Sequence, residues 1–137
     1  MLAVASLGVS ACTSDDTPTA SEAGRTLKNH ILQLLKERNA QNVTITDPGG
    51  KNIPCGDGHA KQTFAARGDD LPERQPAALV DALVGALKRV APYRVVSAGE
   101  SGQPVRVEDK QAHTVLVLSA PLKGMYQVSG ETQCLVS

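Results

Sequence analysis

Aromatic residues are scarce in this chain of 137 residues, which has one Phe, two Tyr and no Trp. Proteins that stack bases or sugars on side-chain rings need more of them, so the composition disfavours that class of binder. An excess of charge is also missing, since 14 Lys and Arg balance 14 Asp and Glu. A nucleic-acid-binding domain normally carries a basic excess, so we expect no nucleic-acid partner.

Long apolar runs are absent as well, because no run reaches the roughly 18 residues that a membrane-spanning helix needs. The chain is nevertheless 41% hydrophobic and only 20% charged. This composition is sufficient to bury a core, and the length is that of one domain.

The first residues contain a short apolar segment that ends at a cysteine. Residues 2–11 read LAVASLGVSA and carry no charge. Val9, Ser10 and Ala11 directly before Cys12 resemble the lipobox of bacterial lipoprotein signal peptides. In that motif the Cys thiol takes a diacylglyceryl group, and small side chains before it fit the narrow site of the peptidase. We therefore predict that Cys12 is lipidated.

The lipobox divides the chain into three parts. A signal peptide should open with a positively charged segment, and its absence here indicates that the true start codon lies upstream. The alternatives are an ordinary cleaved signal or a buried N-terminal strand. The prediction is a signal peptide over residues 1–11, N-terminally incomplete, a lipidated tether over 12–20 and a single α+β domain over 21–137. The expected location is the extracytoplasmic face of the cell membrane, held by the lipid.

The number of cysteines supports this interpretation. The chain has three, and lipidation of Cys12 leaves only Cys55 and Cys134. Two cysteines in an exported domain usually oxidise, so we predict a Cys55–Cys134 disulfide. The alternative is two unpaired thiols in the core. A Cys-based metal site is not expected, because the chain has no CxxC or HxxxH spacing.

Two helices are predicted from capping and apolar spacing. Thr19 and Glu22 form a capping-box pattern before a helix over residues 21–39. Pro76 is placed at the first position of a second helix, which ends before Pro92. The apolar face of this helix consists of Leu79, Val80, Leu83, Val84, Leu87 and Val90.

Alternation of apolar and polar residues predicts the strands, at residues 43–46, 61–67, 93–97, 113–119 and 126–136. The last strand would place Cys134 on its inner face. Residues 53–58 are rich in Pro and Gly and are predicted to be a loop. The charged segments 67–74 and 108–110 are predicted to be solvated loops.

The order α-β-β-α-β-β-β predicts an α+β fold. Its simplest form is a two-layer sandwich in which two helices cover one face of an antiparallel sheet of about four to five strands.

Several of these features together resemble a known group of proteins. They are the lipobox Cys12, the PCGDG segment around Cys55, the strand YRVV at 93–96 and the final VSGETQC that ends at Cys134. This combination resembles small cell-envelope lipoproteins of mycobacteria and related actinobacteria, such as the LppA-like family. The resemblance implies a disulfide-linked α/β sandwich outside the cytoplasmic membrane. It brings no catalytic residues.

Side chains that could carry chemistry are few. Asp57 and His59, with the pair Asp69–Asp70 nearby in sequence, are the candidates for a metal site, but a solvated loop is the expected reading. We expect His30 to lie on the surface of the first helix and His113 to be a core or edge residue. No set of nucleophile, base and orienting residue can be assembled, so we expect no catalytic residue, metal or cofactor.

Two classes of function remain. The first, which the sequence favours, is a non-catalytic envelope lipoprotein with a binding or accessory role. Its membrane contact is the lipid, and its ligand is an envelope protein, a lipid or a cell-wall component. The alternative is a small extracytoplasmic hydrolase or metal-dependent enzyme, which a deep pocket with convergent polar groups would favour.

Overall fold

The computed structural model describes residues 17–137, and two helices and nine strands lie within this range. In chain order they are α1 (Ala20–Glu37), β1 (Gln41–Asp47), β2 (Ile53–Gly56), β3 (His59–Lys61), β4 (Thr63–Asp69), α2 (Pro76–Leu87), β5 (Arg94–Ala98), β6 (Val105–Asp109), β7 (Thr114–Ser119), β8 (Met125–Thr132) and β9 (Leu135–Val136).

The strands form two antiparallel sheets. The main sheet has six strands in the order β1-β4-β8-β7-β6-β5, and a small sheet has the order β2-β3-β9. The predicted α+β class is confirmed. The expected number of four to five strands is too low, because the sequence reading missed strands that are short or charged.

Strand β6 is one of those missed, since residues 108–110 were expected to be a solvated loop. Its alternation covers only five residues, and the exposed side carries Arg106 and Glu108. Asp109 at its end is buried rather than solvated, because its carboxylate accepts hydrogen bonds from the backbone N–H groups of Gln111 and Ala112. Because the exposed side of this half-buried strand is charged, β6 was not recognisable from the sequence.

Segment 53–58 is not a plain loop, because it contains β2 and the turn into β3. All four residues of β2 are exposed and the strand lies at the edge of the small sheet, where Pro54 is tolerated. Such an edge strand has neither the apolar alternation nor the β-branched content on which recognition from sequence depends.

The chain leaves the main sheet earlier than predicted. Strand β8 ends at Thr132, and the following residues cross to the small sheet, where Leu135 is buried. The prediction that Cys134 faces inward is wrong, since Cys134 is exposed. The alternation of buried and exposed residues along β8 stops where the chain crosses to the small sheet, so Leu135 is buried there and Cys134 is not.

The first helix begins as its capping box predicts. The Thr19 hydroxyl accepts a hydrogen bond from the Glu22 N–H at 3.2 Å, and the Glu22 carboxylate accepts one from the Thr19 N–H at 2.9 Å. The helix starts at Ala20, inside the segment predicted to be the tether. Its buried face contains Leu27, Ile31, Leu34 and Leu35.

Both helices pack on the same face of the main sheet. Helix α1 lies on β4 and β8, whereas α2, with Pro76 in its first turn as predicted, lies on β7 and β8. Gly130 of β8 allows α1 to approach, because an added Cβ there would lie 2.7 Å from Leu27 Cδ1. The core beneath the helices is formed mainly by alternate side chains of β4, β7 and β8. They include Phe64, Leu116, Leu118, Tyr126 and Val128.

The six-stranded sheet is wider than its helix layer. Helices pack about 10 Å apart and strands about 4.8 Å apart, so two helices cover about four strands. The edge strands β1 and β5 consequently extend beyond the helices. Val43, Ile45 and Val95 are exposed for this reason, although Ile45 and Val95 are paired with residues on the helix-covered face.

The molecule has two dissimilar ends. The disulfide pole comprises the small sheet β2-β3-β9 and the Cys55–Cys134 bond, and the start of α1 packs against it. The loop pole comprises the connections β4–α2, β5–β6 and β7–β8, which are residues 70–75, 99–104 and 120–124. The antiparallel register places these three connections together at one end of the main sheet.

Truncation of Leu83 tests the packing of α2. Leu83 is fully buried in the core, whereas Leu71 is 70% exposed in a loop. We expect Leu83→Ala to lower the free energy of unfolding by about 2–5 kcal/mol, through lost burial and a cavity. The matched Leu71→Ala should change it by less than about 0.5 kcal/mol. Urea denaturation measures both, and a Leu83→Ala effect as small as that of the control would mean that this helix face is not packed.

Candidate binding site

The loop pole contains an open cleft. Its volume is about 620 Å³, and it is lined by residues 75–77, 101–104 and 119–121. These segments contain no charged residue, and their polar groups are amides and hydroxyls such as those of Gln75, Gln103 and Ser101. The cleft therefore suits a neutral group that can exchange hydrogen bonds, such as the backbone of another protein.

An ion pair between the buried Asp70 and Arg74, whose side chain is 43% exposed, fixes the first of the three loops. Asp70 is only 5% exposed, and its carboxylate accepts hydrogen bonds from Arg74 Nη2 at 2.7 Å, Nε at 3.1 Å and the backbone N–H at 2.9 Å. The Arg74 guanidinium, as the main cause, lowers the pKa of Asp70 from 3.8 to about 2. The carboxylate is therefore charged throughout the physiological range.

Tyr126 links this ion pair to the core. Its ring is fully buried beneath the helices, and its hydroxyl donates to Asp70 Oδ1 at 3.3 Å. The same hydroxyl accepts from Arg38 Nε at 3.2 Å, and the Arg38 guanidinium lies 5.8 Å from the ring centroid. One side chain thus connects the end of α1, strand β8 and the β4–α2 loop.

Backbone bonds join the first loop to the β7–β8 connection. The Asp70 N–H donates to the Gly124 carbonyl and the Gly124 N–H donates to the Arg74 carbonyl, both at 2.9 Å. Gly124 has a φ of +74°, and a Cβ there would lie 3.1 Å from the Cα of Glu73. Glu73 itself has a φ of 54°, a conformation that costs a non-glycine residue about 1–2 kcal/mol. The ion pair and the backbone bonds hold this strained turn in place.

The two joined loops expose the largest apolar side chains of the pole. Leu71 is 70% exposed and Leu122 is 60% exposed. A second cavity of about 270 Å³ lies beside Leu71, and its lining includes Asp69, Lys123 and Met125. Leucines displayed on a fixed backbone lose little further conformational freedom on contact, which favours binding of a partner surface.

His30 differs from the sequence prediction, since it is half-buried rather than on the surface. Its Nδ1 lies 2.9 Å from the Tyr93 hydroxyl, which lies 2.6 Å from Thr114 Oγ1. Burial lowers the pKa of His30 and raises the pKa of Tyr93. This chain of hydrogen bonds joins α1 to the start of β7.

His113, expected to be a core or edge residue, is half-buried in the turn before β7, with Nδ1 3.0 Å from Gln133 Oε1.

The side chains considered as metal ligands do not come together. Asp57 in the β2–β3 turn and His59 at the start of β3 lie at the disulfide pole, whereas Asp69 and Asp70 lie at the loop pole. Segment 67–74 is also not the solvated loop that was expected, because it includes the end of β4 and the buried carboxylate of Asp70. Across residues 17–137, no three His, Cys, Asp or Glu side chains are placed to share a metal ion.

The Asp70–Arg74–Tyr126 cluster is not predictable from the sequence. Its one local signal is the four-residue spacing of Asp70 and Arg74, which are charges of opposite sign. That spacing is common on solvated segments, and Tyr126 lies 52 residues beyond Arg74. Only the antiparallel register of β4 and β8 brings the three side chains together.

The predicted sites at the cysteines have different outcomes. The Cys55–Cys134 disulfide is present, as expected, with both cysteines exposed. Cys12 lies outside the described residues. Within residues 17–137, neither helix has the length and apolar character required to cross a membrane.

Comparison with known proteins finds no matching family model, no matching curated protein and no matching solved structure. The resemblance to actinobacterial envelope lipoproteins therefore stays a prediction that rests on the motifs of this chain.

The lowered pKa of Asp70 predicts how stability depends on pH. A carboxyl with a depressed pKa in the folded state stabilises the protein above its unfolded pKa, and this contribution is lost as the pH falls towards the folded value. We expect the stability difference between the wild type and Asp70→Asn to be constant above about pH 5 and to shrink as the pH falls through the unfolded pKa of 3.8 towards about 2. Urea denaturation at stepped pH values measures it.

Removal of the cationic partner provides the control. In an Arg74→Gln background, Asp70→Asn should have a smaller effect and a weaker dependence on pH, because the guanidinium that lowers the pKa is gone. A stability difference that stays the same from pH 6 to pH 2 in the parent would contradict the ion-pair assignment.

Proposed function

We propose that this protein is a non-catalytic cell-envelope lipoprotein, anchored through lipid on Cys12, which binds another envelope protein through its loop pole. The observation that carries the proposal is that the two ends of the domain differ. The chain that follows Cys12 enters the domain at the disulfide pole, while Leu71, Leu122 and the uncharged cleft lie at the opposite end.

The chemistry of the loop pole supports a protein partner. Leu71 and Leu122 supply apolar contact at the centre of the joined loops, and the uncharged cleft supplies amide and hydroxyl groups beside it. Apolar residues surrounded by polar groups are typical of protein–protein interfaces. The Asp70–Arg74 pair holds the backbone of this surface before a partner arrives, which lowers the entropic cost of binding.

Replacement of Cys12 tests the anchor. We expect Cys12→Ala to move the protein from the membrane to the soluble fraction, because acyl chains on this residue would be its only attachment, and two chains are enough for stable anchoring. Cell fractionation and intact-mass analysis of the parent measure this. A variant that stays on the membrane, together with a parent that lacks diacylglycerol, would contradict the proposal.

A pair of leucine substitutions tests the binding surface. In cells that express lipidated protein, we expect Leu71→Ser with Leu122→Ser to reduce the main cross-linked partner about tenfold or more, a change equivalent to about 1.4 kcal/mol or more. Val95→Ser is the matched control, because Val95 is an exposed apolar residue on the edge strand β5, away from the loops. Equal cross-linking by all three proteins would show that the loop pole is not the interface.

A further inference from the structure

The small sheet at the disulfide pole has two different sides. Ala60 is paired with Pro54 and Leu135 on the inner side, whereas Ile53 is paired with Lys61 on the outer side. On the same outer side His59 is paired with Val136. The outer face of the small sheet is therefore formed by Ile53, His59, Lys61 and Val136. Its two apolar members are well exposed, Ile53 at 40% and Val136 at 55%.

The inner side fixes this face relative to the start of the domain. Ala60 and Leu135 form a buried cluster with Ala20 and Ala23 of the first turn of α1. The disulfide then ties β2 to the segment that leads into β9. The first described residues and the outer face of the small sheet thus belong to one packed unit.

Chain length limits how far this unit can lie from a lipid on Cys12. Thr17 is five positions after Cys12, and a fully extended chain spans at most about 18 Å over five positions. Helix α1 is 18 residues long, which corresponds to a length of about 27 Å. The disulfide pole is therefore held close to the membrane, while the loop pole can extend away from it.

We propose that the outer face of the small sheet lies against the phospholipid headgroups. Ile53 and Val136 contact the interfacial region of the bilayer, where transfer of apolar side chains out of water is favourable in free energy. Lys61 and the neighbouring exposed Lys51 face anionic headgroups, which attract lysines close to the surface. Lys61 also pairs with Glu131 at 3.2 Å, so Lys51 is the freer cation of the two. This inference rests on lipidation of Cys12, and it assigns the contact that orients the loop pole outward.

Single tryptophan reporters test the contact, because the chain has no native Trp. Ile53→Trp and Val136→Trp report on the outer face, and Leu71→Trp at the loop pole is the matched control at an exposed position. Each lipidated protein is reconstituted in phosphatidylglycerol–phosphatidylcholine vesicles with and without brominated acyl chains. We expect the two outer-face reporters to be quenched at least about twofold more than the control, since interfacial residues insert to the headgroup–acyl boundary.

Two further measurements keep the outcomes distinct. Intact mass establishes lipidation before reconstitution, so a protein without lipid overturns both the proposed function and this inference. Thermal melting of each variant shows whether it is folded. If one outer-face variant is not folded, the other one provides the test. A lipidated, folded protein whose outer-face reporters are quenched no more than the Leu71→Trp control overturns this inference alone.

Discussion

The width of the main sheet relative to its helix layer is the constraint on which the rest of the structure depends. Two helices bury one face of β4, β8 and β7, and most of the main core lies there, with Val107 of β6 at its margin. Strands β1 and β5 remain at the edges with exposed apolar residues. Register shifts interrupt both edge strands, twice in β1 and once in β5. Such irregularities discourage the edge-to-edge pairing that a flat exposed strand would invite.

Tyr126 connects that core to the loops. Its ring fills the space under the helices, and its hydroxyl emerges where Asp70 and Arg74 form their ion pair. Only the Asp70 side of the pair is desolvated, since Arg74 is 43% exposed, and a buried carboxylate is costly when its hydrogen bonds are not satisfied. The Asp70 carboxylate accepts hydrogen bonds from both the side chain and the backbone of Arg74. The pair therefore acts mainly to select one conformation of the β4–α2 loop. That conformation includes the positive φ of Glu73, which the loop would not adopt by itself.

Sequence reasoning was most successful where the signal is local. The Thr19–Glu22 capping box and Pro76 mark the starts of the two helices, and the periodic leucines mark their buried faces. The parity of the cysteines predicted the disulfide. Features that depend on distant partners were missed. The short strands β2, β3 and β9 exist only because each borders another, and the exposure of Cys134 follows from a chain crossing between sheets that alternation cannot reveal.

The disulfide is placed where non-covalent structure is weakest. Strand β3 has three residues and β9 has two, and strands this short do not persist without further support. The bond joins cysteines 79 positions apart, for which the chain-entropy model gives about 4.5 kcal/mol as an upper value. It thereby keeps Leu135 and Ala60 against Ala20 and Ala23. Any pull transmitted through the first residues of α1 reaches this cluster before the main core. The covalent link therefore stabilises the small sheet on which the first turn of α1 packs, whereas the loops at the opposite end are held by the non-covalent bonds of Asp70, Arg74 and Tyr126.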